Sequence, residues 1–164
     1  PRLKKIELER DDRGVPHLRG LCEHWRPKAG WQGEDQFSDG TLRLLGLLWS
    51  LFDGTAPLLL EEPELSLHTA IVRHVPGMMY RLSRKSGRQV LVSTHSPEML
   101  QDEGIAAEEV LILAPSREDT PVTVAADDAE IRALVQAGLT MADAVVPRAA
   151  PANPEQLLLL GDGA

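Results

Sequence analysis

Apolar and charged residues alternate along Leu3-Lys4-Lys5-Ile6-Glu7-Leu8-Glu9, the two-residue period of a half-exposed strand, and Asp11-Asp12-Arg13-Gly14 reads as the turn behind it. Leu18 to Trp25 predicts a second strand or a short helix. Pro, Gly and polar residues from Arg26 to Gln36 predict a loop, with Trp25 and Trp31 as packing residues. The pattern then changes, because Leu44 to Phe52 is apolar nearly all round, which predicts a buried helix capped by Ser38 or Asp39. Leu58-Leu59-Leu60 is a short unbroken apolar run. Such a run suits a parallel strand covered by helices on both faces better than an alternating strand with one wet face. Pro63 cannot donate to a ladder and disfavours helix in the residue before it, so the strand ends at Glu61-Glu62.

Glu64 to His68 leads into a long helix over Leu67 to Arg84, kinked or split by Pro76-Gly77. Gly87 closes that helix, and Gln89 to Ser93 predicts another strand, ending in Thr94-His95-Ser96-Pro97. Strand, helix, strand is a right-handed crossover by default, which brings His95 to the same sheet edge as Glu61 and Glu62. Further on, Pro97 to Leu100 opens a short helix, and Glu109 to Ala114 pairs with Val122 to Ala126 across a polar connection. Asp127 to Ala137 is a helix with Ile131, Leu134 and Val135 on one face, ended by Gly138. Thr140 caps a further short helix to about Val145. Pro147 to Pro154 reads as a linker, and the apolar tail Leu157 to Leu160 docks on the body or on a partner chain. The fold class is therefore α/β: parallel strands with crossover helices, followed by a strand pair and short helices.

Composition narrows the function more than the fold. At 164 residues the chain is one domain's worth of sequence with enough apolar content for a core. Its formal charge of −8, without a long Lys/Arg run, excludes a self-sufficient nucleic-acid binder, so any DNA contact is local or lies on another segment. The single Cys22 cannot form an internal disulfide, and a reducing compartment, the cytoplasm, is the simplest expectation. No stretch approaches the length of a membrane span. Pro1-Arg2-Leu3 lacks an initiator Met and a signal-peptide pattern, which reads as a trimmed or internal beginning.

Candidate chemistry gathers at the strand ends. Adjacent carboxylates at the C-terminal edge of a buried strand are costly unless something offsets their charge, and a divalent cation is the commonest partner in the ligand crevice of an α/β sheet. Glu61 and Glu62 thus mark a metal-nucleotide site. The Ser38-Asp39-Gly40-Thr41 helix start offers free backbone N–H groups to an anion, although by itself it is only a capped core helix. Arg81, Arg84, Lys85 and Arg88 are explained by favourable positive charge at a helix C-terminus, with a phosphate-backbone contact as the less supported reading.

Three signals in this order reinforce one another: Ser38-Asp39-Gly40-Thr41-Leu42-Arg43, Leu58-Leu59-Leu60-Glu61-Glu62-Pro63-Glu64, and Ser93-Thr94-His95-Ser96-Pro97. Together they resemble the C-terminal half of ABC-type head ATPases, the group containing RecF, the SMC proteins and the OLD-like AAA-family ATPases. The likeness covers Phe37 to Leu100 closely and extends loosely to about Val145. It implies a P-loop-NTPase-like partial domain over residues 1–146, with 147–164 as linker and tail. Residues 37–43 would be the signature motif, whose Ser38, Gly40, Thr41 and Arg43 reach the γ-phosphate of ATP held by a second head. Residues 58–62 would be Walker B. Within it, Glu61 stands where many relatives have the Mg2+-associated Asp, in direct or water-mediated contact, and Glu62 matches the catalytic carboxylate that orients or deprotonates the attacking water. Leu65 to His68 falls at the D-loop, and His95 at the catalytic switch histidine. The resemblance implies work in DNA maintenance or phage defence.

One departure is large. No Gly-x-x-x-x-Gly-Lys-Ser/Thr occurs in the chain, and Lys85-Ser86-Gly87-Arg88 does not replace it, so the backbone cradle and Lys for the β- and γ-phosphates must come from elsewhere. Either the chain is the C-terminal part of a longer ATPase, the favoured expectation, or a second polypeptide supplies the Walker A lobe. The complete protein would then hydrolyse ATP and the isolated chain would not. The region after His95 lacks an evident acidic metal-binding nuclease domain, so no nuclease activity is expected. Two other classes compete: a non-catalytic ATPase-like interaction or dimerisation module, and a metal hydrolase built on Glu61, Glu62, Glu64, His68 and His95. The last is opposed by the alternation of strand side chains and by spacing unlike a zinc helix motif.

Overall fold

A computed structural model of the protein describes residues 3–25, 30–115 and 118–150. The apolar tail at Leu157 to Leu160 and the second half of the predicted linker, 151–154, lie outside the described residues. Contacts divide the chain into two compact units, Pro1–Gly54 with Leu65–His68, and Thr55–Glu64 with Thr69–Ala164.

In the first unit, β1 (Leu3–Arg10), β2 (Pro16–Cys22) and β3 (Trp31–Gly33) form an antiparallel sheet in that order. The Asp11 carboxylate accepts from the N–H groups of Arg13 (2.9 Å) and Val15 (2.8 Å), and this side-chain turn reverses the chain between β1 and β2. Leu8 pairs with Leu18 and Glu9 with His17, which decides for strand where the sequence allowed a helix. The predicted loop from Arg26 to Gln36 is corrected: β3 pairs with β2, Gly20 opposite Gln32, and Glu34–Gln36 forms a 3-10 turn. Three residues are too short for a period to show in sequence, and only the β2 partner makes them a strand. Trp25 is not a packing residue: it is 79% exposed and stacks on His24, beyond the last β2 pair. Trp31 is half-buried, with the Arg19 guanidinium 5.0 Å above its ring.

Helix α1 (Asp39–Phe52) follows, and Ser38 is its N-cap. It is not buried all round. Leu47 and Leu51 are buried, whereas Trp49 and Phe52 on other faces are exposed.

The second unit is built on β4 (Leu58–Glu61) and β5 (Val90–Ser93), which run parallel with Leu58 beside Val90 and Glu61 beside Ser93. Between them lie α2 (Thr69–Val72) and α3 (Val75–Ser86). The predicted long helix therefore breaks at Arg73-His74, just before the proline. Pro76 sits in the first turn of α3, where a missing N–H costs nothing. Gly87 ends α3 in the left-handed conformation (φ 71°) and bonds back to Ser83 O. Coverage of the strands on both faces is not what the chain supplies. Leu58, Leu60, Val90 and Val92 are half-buried on one side, but Leu59 is 74% exposed and its neighbour Leu91 is exposed on the other. An unbroken apolar run records what a strand is suited to, and covering the second face needs atoms that the described residues do not place there.

Strands β6 (Leu111–Leu113) and β7 (Val122–Val124) pair antiparallel, as the pattern predicts. Helix α4 (Ala129–Gln136) is capped by the Asp128 carboxylate, and α5 (Met141–Ala149) by a reciprocal Thr140–Asp143 box. Ile131, Ala144 and Ala125 are fully buried together with Val110, Ile112, Met141 and Val145, and these side chains form the core of the unit. Helix α5 runs to Ala149, through Pro147, rather than ending at Val145. Its last turn is held by Arg148, which reaches Glu130 at 2.7 Å and Asp128 at 3.4 Å and donates to the Ala144 carbonyl. Pro147 to Ala149, read as linker from their Pro and Ala content, are therefore helical. A 3-10 turn at Pro97–Leu100, with Met99 buried, contacts α2, α3 and α5.

Glu34 ties its turn to β2, accepting from Leu18 N–H at 2.8 Å and meeting His17 Nδ1 at 2.9 Å. The Glu34 hydrogen bond raises the His17 pKa above its ordinary 6.5, and the Leu18 N–H, then His17, lower that of Glu34 below 4.5. The His17 contribution to stability is complete below 6.5 and is lost as pH rises through its raised folded value. That of Glu34 is complete above 4.5 and is lost as pH falls through its lowered folded value. His17→Asn should therefore lower the melting temperature most between 4.5 and 6.5, and the difference from wild type should shrink at alkaline pH, as circular dichroism melts across pH would measure.

Candidate functional site

Parallel pairing of β4 and β5 brings two loops to one sheet edge. Glu61 ends β4 exposed, on the open side that Leu59 also occupies. On a regular strand Glu62 would point to the opposite side. Instead the backbone turns there into the left-handed region, with φ 42°, which non-glycine residues seldom adopt. The turn is held by the Glu62 N–H, which donates to Ser93 O at 2.8 Å. Glu62 Oε1 thereby lies 2.6 Å from His95 Nδ1. An ionised carboxylate only accepts, so Nδ1 is the donor in that bond. The carboxylate is half-buried, with 34% of the side chain exposed, while the imidazole is 75% exposed. The pair is therefore open to a ligand from solvent.

Pro63 and Glu64 then turn inward and are buried. The Thr94 hydroxyl donates to Glu64 Oε1, and Thr94 Oγ1 in turn accepts the Ser96 N–H at 3.0 Å. Glu64 Oε2 is buried without a hydrogen-bond partner among the described residues. The Ser96 hydroxyl donates to Glu98 at 3.0 Å, and the Glu98 carboxyl is held below the usual carboxylate range by its own backbone N–H and then by that hydroxyl. Sequence reasoning gave Glu64 no role beyond metal ligation. The signal was available, since with Glu61 beside Ser93 the residues just beyond each strand must face one another.

The signature-like segment forms a separate group, within the first unit. Ser38 Oγ accepts from Thr41 N–H at 3.3 Å and lies 2.9 Å from Thr41 Oγ1. Gly40, in the first turn of α1, packs against the 65–68 segment: a Cβ there would lie 2.5 Å from Ser66 O. Ser66 is itself left-handed, with φ 64°. Thus Ser38, Gly40 and Thr41 are brought together beside the predicted D-loop, and Arg43 is exposed one turn on.

Among the described residues, no three His, Cys, Asp or Glu side chains are grouped to hold a metal ion. The five-residue hydrolase set is not assembled: Glu64 is taken by Thr94, His95 by Glu62, and His68 belongs to the other unit. Glu61 fits a magnesium ion that takes one carboxylate and completes its shell with water and substrate phosphate oxygens. No helix among the described residues is long and apolar enough to cross a membrane.

A family model described as "AAA domain, putative AbiEii toxin, Type IV TA system" matches residues 2–101. A solved structure described as "Structural biochemistry of ATP-driven dimerization and DNA stimulated activation of SMC ATPases" superposes with a TM-score of 0.54 at 14% identity, covering 75% of this chain and 73% of that one. At that identity the likeness establishes the fold: a mixed α/β fold with a parallel strand pair and helices, resembling an SMC ATPase head. No curated protein matches the chain in sequence.

Gly→Ala inside a helix ordinarily stabilises by about 0.5–1 kcal/mol. At Gly40 the sign should reverse, because the obstructing atom is a backbone oxygen rather than the end of a flexible side chain. Gly40→Ala should destabilise the chain by about 1–3 kcal/mol in urea unfolding.

Proposed function

The chain belongs to this AAA-domain family, and from that premise we propose that it is the ATP-hydrolysing part of an ABC-type head ATPase, completed by a Walker A lobe that lies outside these 164 residues. The observation that carries the reading is the Glu62–His95 pair at 2.6 Å, formed where the chain leaves two adjacent parallel strands. Glu62 accepts a proton from the attacking water and orients it. His95 bonds that carboxylate through Nδ1 and keeps it aimed, which leaves Nε2 as the atom that faces the γ-phosphate. Ser38, Gly40, Thr41 and Arg43 address the nucleotide of a second head, with Leu65 to His68 as the D-loop. Glu61 would hold magnesium, which when bound neutralises charge on the β- and γ-phosphates. The open apolar face at Leu59 and Leu91 is the surface on which the Walker A lobe docks. The setting is cytoplasmic DNA maintenance or phage defence, and the charge of −8 gives no support to independent DNA binding.

A second reading, a non-catalytic ATPase-like dimerisation module, draws on the lack of a phosphate cradle within the chain. The two separate at Glu62. In the assembly with its Walker A lobe, Glu62→Gln should lower ATP turnover about 100-fold or more while ATP binding is retained. Turnover that survives the substitution would sink the hydrolytic reading.

A further inference from the structure

We propose that Glu64 is a positioning residue for the Glu62–His95 pair, acting through Thr94; this rests on the hydrolytic reading of that pair. His95 is 75% exposed, so packing does not hold its ring. What fixes it is the backbone on either side. Thr94 precedes it and Ser96 follows it, and one hydroxyl ties both down: Thr94 Oγ1 accepts the Ser96 N–H and donates to Glu64 Oε1. Both hydrogen-bonding functions of that hydroxyl are used, so its rotor and the turn around it are set. Glu64 lies two residues beyond Glu62, and the intervening Pro63 has little backbone freedom. The carboxylate that receives Thr94 and the carboxylate that receives His95 are therefore parts of one short, stiff segment. Moving Thr94 off Glu64 moves His95 off Glu62.

Stability does not account for Glu64. It is 6% exposed, and Oε2 is buried with no hydrogen-bond partner among the described residues. A half-satisfied buried carboxylate is costly compared with an apolar side chain of similar size. The left-handed backbone at Glu62 is a second local cost in the same segment. Two unfavourable features held side by side are accounted for by what they aim.

The test begins with the ring itself, on the 164-residue chain, by two-bond 1H–15N correlation of His95. Wild type should show Nδ1 protonated and hydrogen-bonded, a signature lost in Glu62→Ala, which removes the acceptor. Thr94→Val, which removes the donor at nearly constant volume, should bring the two nitrogens toward tautomer-averaged shifts with the cooperative melt retained. Thr94→Ser and Glu64→Gln each keep the donor–acceptor pair and should preserve the wild-type signature, whereas Glu64→Ala should not. In the assembly with the Walker A lobe, Thr94→Val should lower turnover about 10- to 100-fold and add nothing to His95→Ala. An unchanged His95 signature in Thr94→Val, or losses that multiply with His95→Ala, would overturn the role of Glu64 and leave the pair standing. A wild-type ring indifferent to Glu62→Ala would strike the pair itself.

Discussion

The candidate site depends on the parallel pairing of two four-residue strands, β4 and β5. Parallel ladders bring the C-terminal ends of their strands to one edge, so two loops far apart in sequence begin side by side. Here the last ladder-like bond runs from the Glu62 N–H to Ser93 O, one residue beyond the strand proper. That bond holds the left-handed turn at Glu62. Without the turn, alternation along the strand would send the two adjacent carboxylates to opposite sides of the sheet. With it, Glu61 stays on the exposed side and Glu62 reaches His95. A conformation that is unfavourable for an ordinary residue thus separates two chemically identical neighbours into different environments.

Each compact unit carries its own candidate group, and each group is built from local rules. In one, a serine cap opens α1 and a glycine lets the Ser66 carbonyl approach the first turn. In the other, short polar side chains just beyond the strands bond across the gap between two loops. Neither relies on a deep pocket. The side chains stand open, and Leu59 and Leu91 leave an apolar face uncovered beside Glu61. The acidic balance fits protein and nucleotide partners better than an independent hold on DNA.

The Ile131-centred core gives the second unit its anchor, through α4, α5 and the β6–β7 pair. It lies apart in sequence from the strand-end chemistry, yet the Pro97–Leu100 turn links them: it follows directly on His95-Ser96 and contacts α5 as well as α2 and α3. The His95 loop is thus attached at one end to a strand and at the other to a packed turn. This leaves few ways for His95 to move without disturbing either.

Much of this was legible in sequence because the signals are local. The unbroken run Leu58–Leu60, stopped by Pro63, marked a parallel strand and its end, and Ser38 and Thr140 marked helix starts by their own capping chemistry. Periodicity located Ile131, Leu134 and Val135 on one face. The short strand at Trp31, the early break before Pro76 and the continuation of α5 through Pro147 were decided by partners: a β2 edge, a helix start that tolerates proline, and the Arg148 ion pairs. The same division holds at the site. Residue types and order identified Glu61, Glu62 and His95 as candidates, whereas the left-handed turn and the burial of Glu64 depend on backbone dihedrals and on contacts across 30 or more residues of chain. Local propensity is written residue by residue. Which side chains meet is settled only when the ladder register closes the loops between them.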